Sequence, residues 1–502
     1  MNKKLIITAL LAFVAMAGQA IDEYQYHGGT AVLKGRILNK PAGEWDVVSV
    51  RAYNVFSDKE IMQNIPVAAD GTFEGAFSLP HSQSVLVLEL SDVFLAVGDT
   101  VEVTKDAALD DYEGVTFSGS STSAVINRLW PEVRKHYFGD RRLLINGLAM
   151  EDIPKWKQDM VKLMDKVIAD IEADHLPLPT GTNAYIKEVM GASLLGELLM
   201  TFMENYRYNM TSQFNSFYVT NVSTAKLDEY YDFLAERERW LLDNPAMLFV
   251  TKDPSFLFKY VMAYIMPDIA FMRNSKHPSL LYTISDYYRD ASQAITSRYG
   301  LKGGNFMQQM MLCLDIFEEG RIDEDSNPDD VVANFAGAIP LLTNPIVAHH
   351  ALNLYRQYVI NREGKGVRTA SATPEADAMF QRIIDAYKGN ALYIDFWDMS
   401  CAPCRRSMLD EREKVERMKD LPVRFLYICD EKTSPRERAE KWLQENSIKG
   451  EHIYVSHNDW LLLEEKFQFN AVPFVTAVDK DGNSVTYDYL DRYFDEQMKV
   501  GK

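Results

Sequence analysis

Two cysteines, Cys401 and Cys404, close the stretch Ala391-Leu-Tyr-Ile-Asp-Phe-Trp-Asp-Met-Ser-Cys401-Ala-Pro-Cys404. Thiols at this spacing can join as a disulfide and reopen, and the thiolate is the reactive form. The residues before the pair read as a buried strand, and those after it as a helix. A helix N-terminus offers unpaired backbone N–H groups and the positive end of the dipole, which stabilise an anion. This placement makes Cys401 the attacking, more exposed thiol. Cys404, one turn into the helix, becomes the resolving thiol. Pro403 limits the backbone of that first turn, and Arg405 and Arg406 read as solvated residues.

Asp395 lies on the strand between Ile394 and Phe396. A carboxylate in such apolar company is desolvated and its pKa rises. That suits it to accept the Cys404 proton when a mixed disulfide resolves. Pro473, in Ala471-Val472-Pro473-Phe474, precedes a strand that could lie beside the cysteines. Sequence alone does not set the isomer of its peptide bond.

The elements that must position these groups lie in the last part of the chain. Thr373-Pro374 opens a helix, with Thr as N-cap and Pro at the first helical position. Strands then alternate with helices: Leu392–Trp397, the helix after the cysteines, Val423–Cys429, Pro435–Asn446, His452–Val455, Asp459–Phe467 and Phe474–Asp479. Asp481-Gly482 turns into Val485–Tyr489, and a short helix ends the chain. This order predicts an α/β sheet of mixed direction.

The full chain has 502 residues, and ~150 residues per domain implies about three domains. The expected fold class is multidomain. A signal peptide at 1–20 precedes a small all-β domain at 21–118, an all-α region at 119–366 and a C-terminal α/β domain at 367–502. In the β part, Asp70-Gly71 between Ile65–Ala68 and Thr72–Phe77 predicts a two-residue hairpin. Gly98-Asp99 predicts a turn before Thr100–Thr104. Helical spacing runs through Trp156, Met160, Leu163, Val167 and Ile171, and through Tyr185, Val189, Leu195, Leu198 and Phe202. Further helices are expected near Lys226–Leu242, Phe256–Met272, Ser279–Arg298, Asn305–Glu319 and Asp330–Asn361.

Lys3, Lys4, the apolar run Leu5–Met16 and the small residues Ala17-Gly18-Gln19-Ala20 read as a secretory signal, too short to span a membrane. No cysteine follows it to carry a lipid. The expected location is the periplasm, with the mature chain soluble and peripheral to the membrane at most. Four cysteines are too few for a disulfide framework in a chain of this size. In an exported protein the close pair therefore reads as catalytic. A net charge of −19 repels phosphate backbones and argues against nucleic acid as a partner.

The stretch Asp395-Phe-Trp-Asp-Met-Ser-Cys-Ala-Pro-Cys404 resembles the thioredoxin active site, Asp-Phe-Trp followed by three residues and Cys-Gly-Pro-Cys. The lead-in Tyr387-Lys-Gly-Asn-Ala-Leu-Tyr-Ile is similar to the TlpA/ResA-like branch of exported thioredoxins. Val472-Pro473 matches that family's cis-proline, and Val478-Asp-Lys-Asp-Gly482 its following hairpin. The resemblance covers about residues 367 to 502 and implies a thioredoxin fold. It implies Cys401 as nucleophile, Cys404 as resolving thiol, Asp395 as buried carboxylate and Pro473 as a cis-proline facing the pair. Trp397, Ala402, Pro403 and Val472 become the substrate-contacting candidates. No cofactor or metal is implied. Partners would be disulfide-bearing or thiol proteins, with a membrane electron donor for re-reduction. Two positions depart: Ser400 stands where the family usually has Trp, and Ala402 replaces Gly. Leu95-Ala-Val-Gly-Asp-Thr100 and Phe117-Ser-Gly-Ser120 resemble, more loosely, an N-terminal domain found before such thioredoxins in Gram-negative bacteria.

Other chemistry-bearing residues read as structural. Cys313 and Cys429 are expected to be buried, inert thiols, and Met307, Met310 and Met311 core residues. His349 and His350 diverge by about 100° on a helix, which disfavours shared metal binding. The run Asp323–Asp329 has Pro328 where a calcium loop needs Gly, and Asn334 where it needs Glu.

The leading expectation is an exported thiol–disulfide oxidoreductase, acting as a reductase. A binding or scaffold protein of the cell envelope with an accessory redox domain is the alternative from another class. A disulfide donor or isomerase would differ in reduction potential. An antioxidant peroxidase of the AhpC/TSA kind would want Pro where Ile394 stands.

Overall fold

A computed structural model describes residues 23–485 except 42–44, 58, 88–89, 110–113, 140–151, 211–231, 251–287, 291, 294–295, 298–299, 318–334, 363–372 and 470. The expected signal peptide, the helix near Phe256–Met272, the Asp323–Asp329 run and the last helix lie outside the described residues. The chain forms two compact units. The first takes in 1–39, 51–61 and 69–368, and the second 40–50, 62–68 and 369–502.

Eight strands come first: β1 (Gly29–Leu38), β2 (Val47–Asn54), β3 (Lys59–Pro66), β4 (Thr72–Leu79), β5 (Gln83–Val87), β6 (Ser91–Leu95), β7 (Thr100–Asp106) and β8 (Val115–Ser118). They make two four-stranded sheets, ordered β4-β1-β7-β8 and β3-β2-β5-β6. The Asp70-Gly71 hairpin is not formed. β3 and β4 belong to different sheets, and β4 runs antiparallel to β1 instead. Gly71 still needs to be glycine: its φ is 85°, and a Cβ there would meet the Ile37 carbonyl oxygen at 2.2 Å. The turn chemistry was correctly read, but long-range pairing chose another partner for the strand.

Helices of the first unit include α1 (Thr122–Phe138), α2 (Ile153–Glu172), α3 (Ala184–Met210), α4 (Glu238–Leu241), α5 (Phe306–Phe317) and α6 (Pro345–Arg362). Trp156, Met160, Leu163 and Val167 of α2 and Val189, Leu195 and Leu198 of α3 share one apolar cluster with Met307 and Met310 of α5. One continuous helix over Asp330–Asn361 does not form. A 3-10 turn at Ile339–Leu341 and a fresh start at Pro345 divide it, because Pro340 and Pro345 supply no backbone N–H. Among the described residues, no helix is long and apolar enough to cross a membrane.

Four of the first unit's histidines lie in ring contact with one another, and two of them, His81 and His350, meet the Phe56 ring. His350 stacks on that ring at 3.9 Å and bonds the Tyr26 carbonyl oxygen at 2.8 Å. His81 meets His350 edge-on at 6.2 Å, and His27 lies 4.0 Å from His349.

The second unit is built on β9 (Ala391–Phe396), β10 (Val423–Asp430), β11 (Glu451–Val455), β12 (Phe474–Val478) and β13 (Ser484–Val485). Their order is β11-β10-β9-β12-β13. β10 is parallel to β9 and β11, while β12 is antiparallel to β9 and β13. Among the described residues it also holds four α-helices: α7 (Pro374–Ile384), α8 (Ala402–Met418), α9 (Arg436–Glu445) and α10 (His457–Phe467). Thr373 caps α7, its side chain accepting from the Ala376 amide.

All six residues of β9 are buried, as a central strand covered on both faces requires. Alternation divides them. Leu392, Ile394 and Phe396 enter one apolar cluster with Phe380, Trp460 and Leu463. Ala391, Tyr393 and, just past the strand, Trp397 enter another with Cys404, Met408 and Phe425. Each such side chain contributes roughly 1.5–3 kcal/mol by leaving water. Residues 62–68 belong to this unit through hydrogen bonds to α10 and the residue after it. The Asn64 amide donates to Glu465 at 2.9 Å, its side chain donates to the Leu461 carbonyl at 2.7 Å, and the Met62 amide donates to Gln468 at 3.1 Å.

Candidate active site

β9 ends at the joint where the chain must stop being a strand. The Trp397 amide still donates to the Ile428 carbonyl at 3.0 Å, holding the joint to β10. Asp398 then organises a tight turn. Its carboxylate accepts from the Ser400 amide at 2.7 Å and the Ser434 hydroxyl at 2.9 Å, and its carbonyl accepts from the Cys401 amide at 3.0 Å. Burial pushes this carboxyl up, but hydrogen bonds from Ser400, Thr433 and Ser434 outweigh it and hold Asp398 below the usual carboxylate range.

Cys401 is the N-cap of α8, in extended conformation. Its Sγ accepts from the Cys404 amide at 3.1 Å. The first turn carries no acidic residue that would oppose a thiolate there. Pro403, in the same turn, lacks only an N–H that α8 would leave unpaired anyway. Cys401 and Cys404 are joined as a disulfide with Cα atoms 5.3 Å apart, inside the ordinary range. Cys404 is 0% exposed, whereas Cys401 is partly open to solvent.

The Cys401 sulfur lies 3.7 Å from the Val472 carbonyl oxygen, and the Val472–Pro473 bond is cis. The loop before β12 therefore does come to the cysteines. Ala402, Pro403 and Pro473 are exposed and Val472 is half-buried. Trp397 is placed differently: it is 1% exposed and packs 6.0 Å from the Trp442 ring, beneath the site rather than on its surface.

Asp395 is 0% exposed, and neither carboxylate oxygen has a hydrogen-bond partner among the described residues. It shares the face of β9 that carries Tyr393 and Trp397, the face packed against Cys404 and Met408. In the sheet it stands opposite Tyr427 on one side and Val475 on the other. Burial, and then the negative charge of Glu411, push its carboxyl up to about 8.

Sequence reasoning missed Asp398, Ser434, Tyr393, Tyr427 and Glu411. Two signals were available. Asp398-Met-Ser400 is an Asx-turn pattern. The stripe Cys404, Met408, Glu411, Val415, Met418 follows the buried face of α8 and holds a single charged residue. Cys313 and Cys429 are buried free thiols, and burial pushes Cys429 up to about 12. Among the described residues, no group of three or more His, Cys, Asp or Glu could hold a metal ion.

A mixed sheet with β9 at its centre, a disulfide where β9 meets α8 and a cis-proline ahead of the antiparallel β12 together define the architecture. The second unit has the thioredoxin fold. No family model and no curated protein matches the chain. Solved structures resemble part of it. The thioredoxin domain of a thiol-disulfide oxidoreductase from Bacteroides vulgatus is 18% identical over 22% of this chain and 83% of its own, at a TM-score of 0.21. A thioredoxin-family thiol:disulfide interchange protein from Chlorobium tepidum is 15% identical over 20% of this chain and 71% of its own, at 0.19. StoA from Bacillus subtilis is 14% identical over 20% and 72%, at 0.18.

Proposed function

We propose that the chain is a thiol–disulfide oxidoreductase that works outside the cytoplasm as a disulfide reductase. The observation that carries this is the asymmetric pair. A partly exposed sulfur sits at a helix N-terminus, disulfide-bonded to a wholly buried one, on the strand–helix joint that follows Asp395. The expected export signal at 1–20 motivates the location, which is the periplasm in this reading.

Starting from the dithiol, the Cys401 thiolate attacks one sulfur of a substrate disulfide. That S–S bond breaks, and the leaving thiolate takes up a proton. Cys404 gives its proton to Asp395 in its ionised form, the form that grows as pH rises toward 8, and attacks the Cys401 sulfur. The mixed disulfide breaks, the second substrate thiolate leaves, and the enzyme holds the Cys401–Cys404 disulfide. Two electrons from the dithiol of a membrane donor return it to the start. Ala402, Pro403, Val472 and Pro473 are the substrate-contacting surface in this scheme. Trp397 supports it from below.

Reduction of insulin by dithiothreitol tests the reading. The wild-type chain should accelerate it at least tenfold over the Cys401→Ser variant, and equal rates would reject the activity. The reduction potential then sets the direction. A value near that of thioredoxin, about −270 mV, marks a reductase, and one near about −120 mV marks a disulfide donor.

A further inference from the structure

Asp395 is 0% exposed, and neither of its carboxylate oxygens has a hydrogen-bond partner among the described residues, so nearby charge weighs heavily on its proton affinity. Its strand neighbours Ile394 and Phe396 are buried, and Tyr427 and Val475 flank it in the sheet. A base that accepts the Cys404 proton must lose it again before the next cycle.

Glu411 is placed to act on the proton affinity that governs both events. It lies on the inward stripe of α8, seven residues beyond Cys404 and between the buried Met408 and Val415. The other acidic residues of α8, Asp410, Glu413 and Glu416, are all exposed, as a solvated helix face requires. Glu411 is half-buried as a residue, and its Oε2 is wholly buried, so its carboxyl group lies on the interior side. The Tyr393 hydroxyl donates to its Oε1 at 2.6 Å. Tyr393 is two residues before Asp395, on the same face of β9. That hydrogen bond anchors Glu411 to the face that carries Asp395.

We propose that Glu411 is a positioning residue for Asp395, its anchored carboxylate setting the proton affinity of Asp395 during the resolving step. The assignment rests on the oxidoreductase reading above for its purpose, but the coupling of the two carboxyl groups is measurable without turnover. Burial raises the Asp395 carboxyl, and the Glu411 charge adds to it. The same charge also raises the Tyr427 hydroxyl, after burial. In the step itself, Cys404 loses a proton to Asp395.

Infrared titration of the full oxidised chain reads this directly, with the Asp395→Asn variant identifying the Asp395 carboxyl band. In Glu411→Gln, which keeps the shape and a hydrogen-bond acceptor for Tyr393, the midpoint of that band should fall by about one pH unit. Tyr393→Phe, which leaves the charge in place, should move it less. The pH profile of mixed-disulfide resolution should move the same way in Glu411→Gln, and Glu411→Asp should restore part of the shift. An unchanged Asp395 midpoint in a folded Glu411→Gln chain overturns the proposal. A wild-type chain that fails to reduce insulin overturns the activity reading instead, and the titration still decides the coupling.

Discussion

The Cys404 amide nitrogen stands 3.1 Å from the Cys401 sulfur, so the cysteine that caps α8 receives a hydrogen bond from the residue it is disulfide-bonded to. The same turn that brings the two together exposes one and buries the other.

That asymmetry predicts an order of reactivity in the reduced chain. Iodoacetamide should modify Cys401 at least tenfold faster than Cys404. Peptide mass spectrometry over a time course reads both rates. Faster labelling of Cys404 would contradict the placement.

Asp395 predicts a stability that falls as pH rises. Its carboxyl titrates near the ordinary 3.8 in the unfolded chain and near 8 in the folded one. Between these values the folded form holds a proton that the unfolded form has lost, so stability drops with pH across that window. At ~1.4 kcal/mol per unit the loss has an upper bound of roughly 6 kcal/mol. Asp395→Asn should flatten the slope. The variant should match wild type near pH 4 and melt higher near pH 9, as scanning calorimetry of the second unit's transition would register.

The histidine group predicts the opposite slope for the first unit. Burial lowers His81 and His349 to about 4 and His350 well below 6.5. The unfolded chain takes up protons near pH 6.5 and the folded one does not until about 4. This stability is therefore complete above 6.5 and is lost as pH falls toward 4. His81 alone accounts for roughly 3 kcal/mol of it. His350→Phe keeps a ring against Phe56 but loses the bond to the Tyr26 carbonyl. It should cost about 1 kcal/mol at pH 7.5 and lessen the loss at pH 5. Thermal melts at the two pH values compare the slopes.

Met408 lies on the stripe that joins Cys404 to Glu411 and is wholly buried. Met408→Ala should destabilise the second unit by about 2–5 kcal/mol through the cavity it leaves. Asp410→Ala, at the exposed neighbouring position, should stay within ~0.5 kcal/mol. Equal melting shifts for the two would mean that the stripe does not face the core.

Local chemistry was legible in the chain itself. Six consecutive apolar-flanked residues mark β9 as a covered strand, and Ser, Thr and Pro signals mark helix starts such as Thr373-Pro374. Two cysteines placed after such a strand define a dithiol at a helix N-terminus. These features depend on neighbours a few residues apart, and periodicity and capping report them faithfully. Partners distant in sequence were decided by the tertiary structure. Asp70-Gly71 was a sound turn signal, yet β4 paired with β1, because sheet pairing follows the burial of whole faces and not the nearest turn. Trp397 went beneath the site because strand alternation continues past β9 and turns its ring to the α8 side. Glu411 looked like one more charge on a polar helix. Only the packing of α8 on β9, with Tyr393 as the bond between them, brought its carboxyl group to the service of Asp395. A pKa is a property of surroundings, and those surroundings come from residues that are neighbours only in the folded chain.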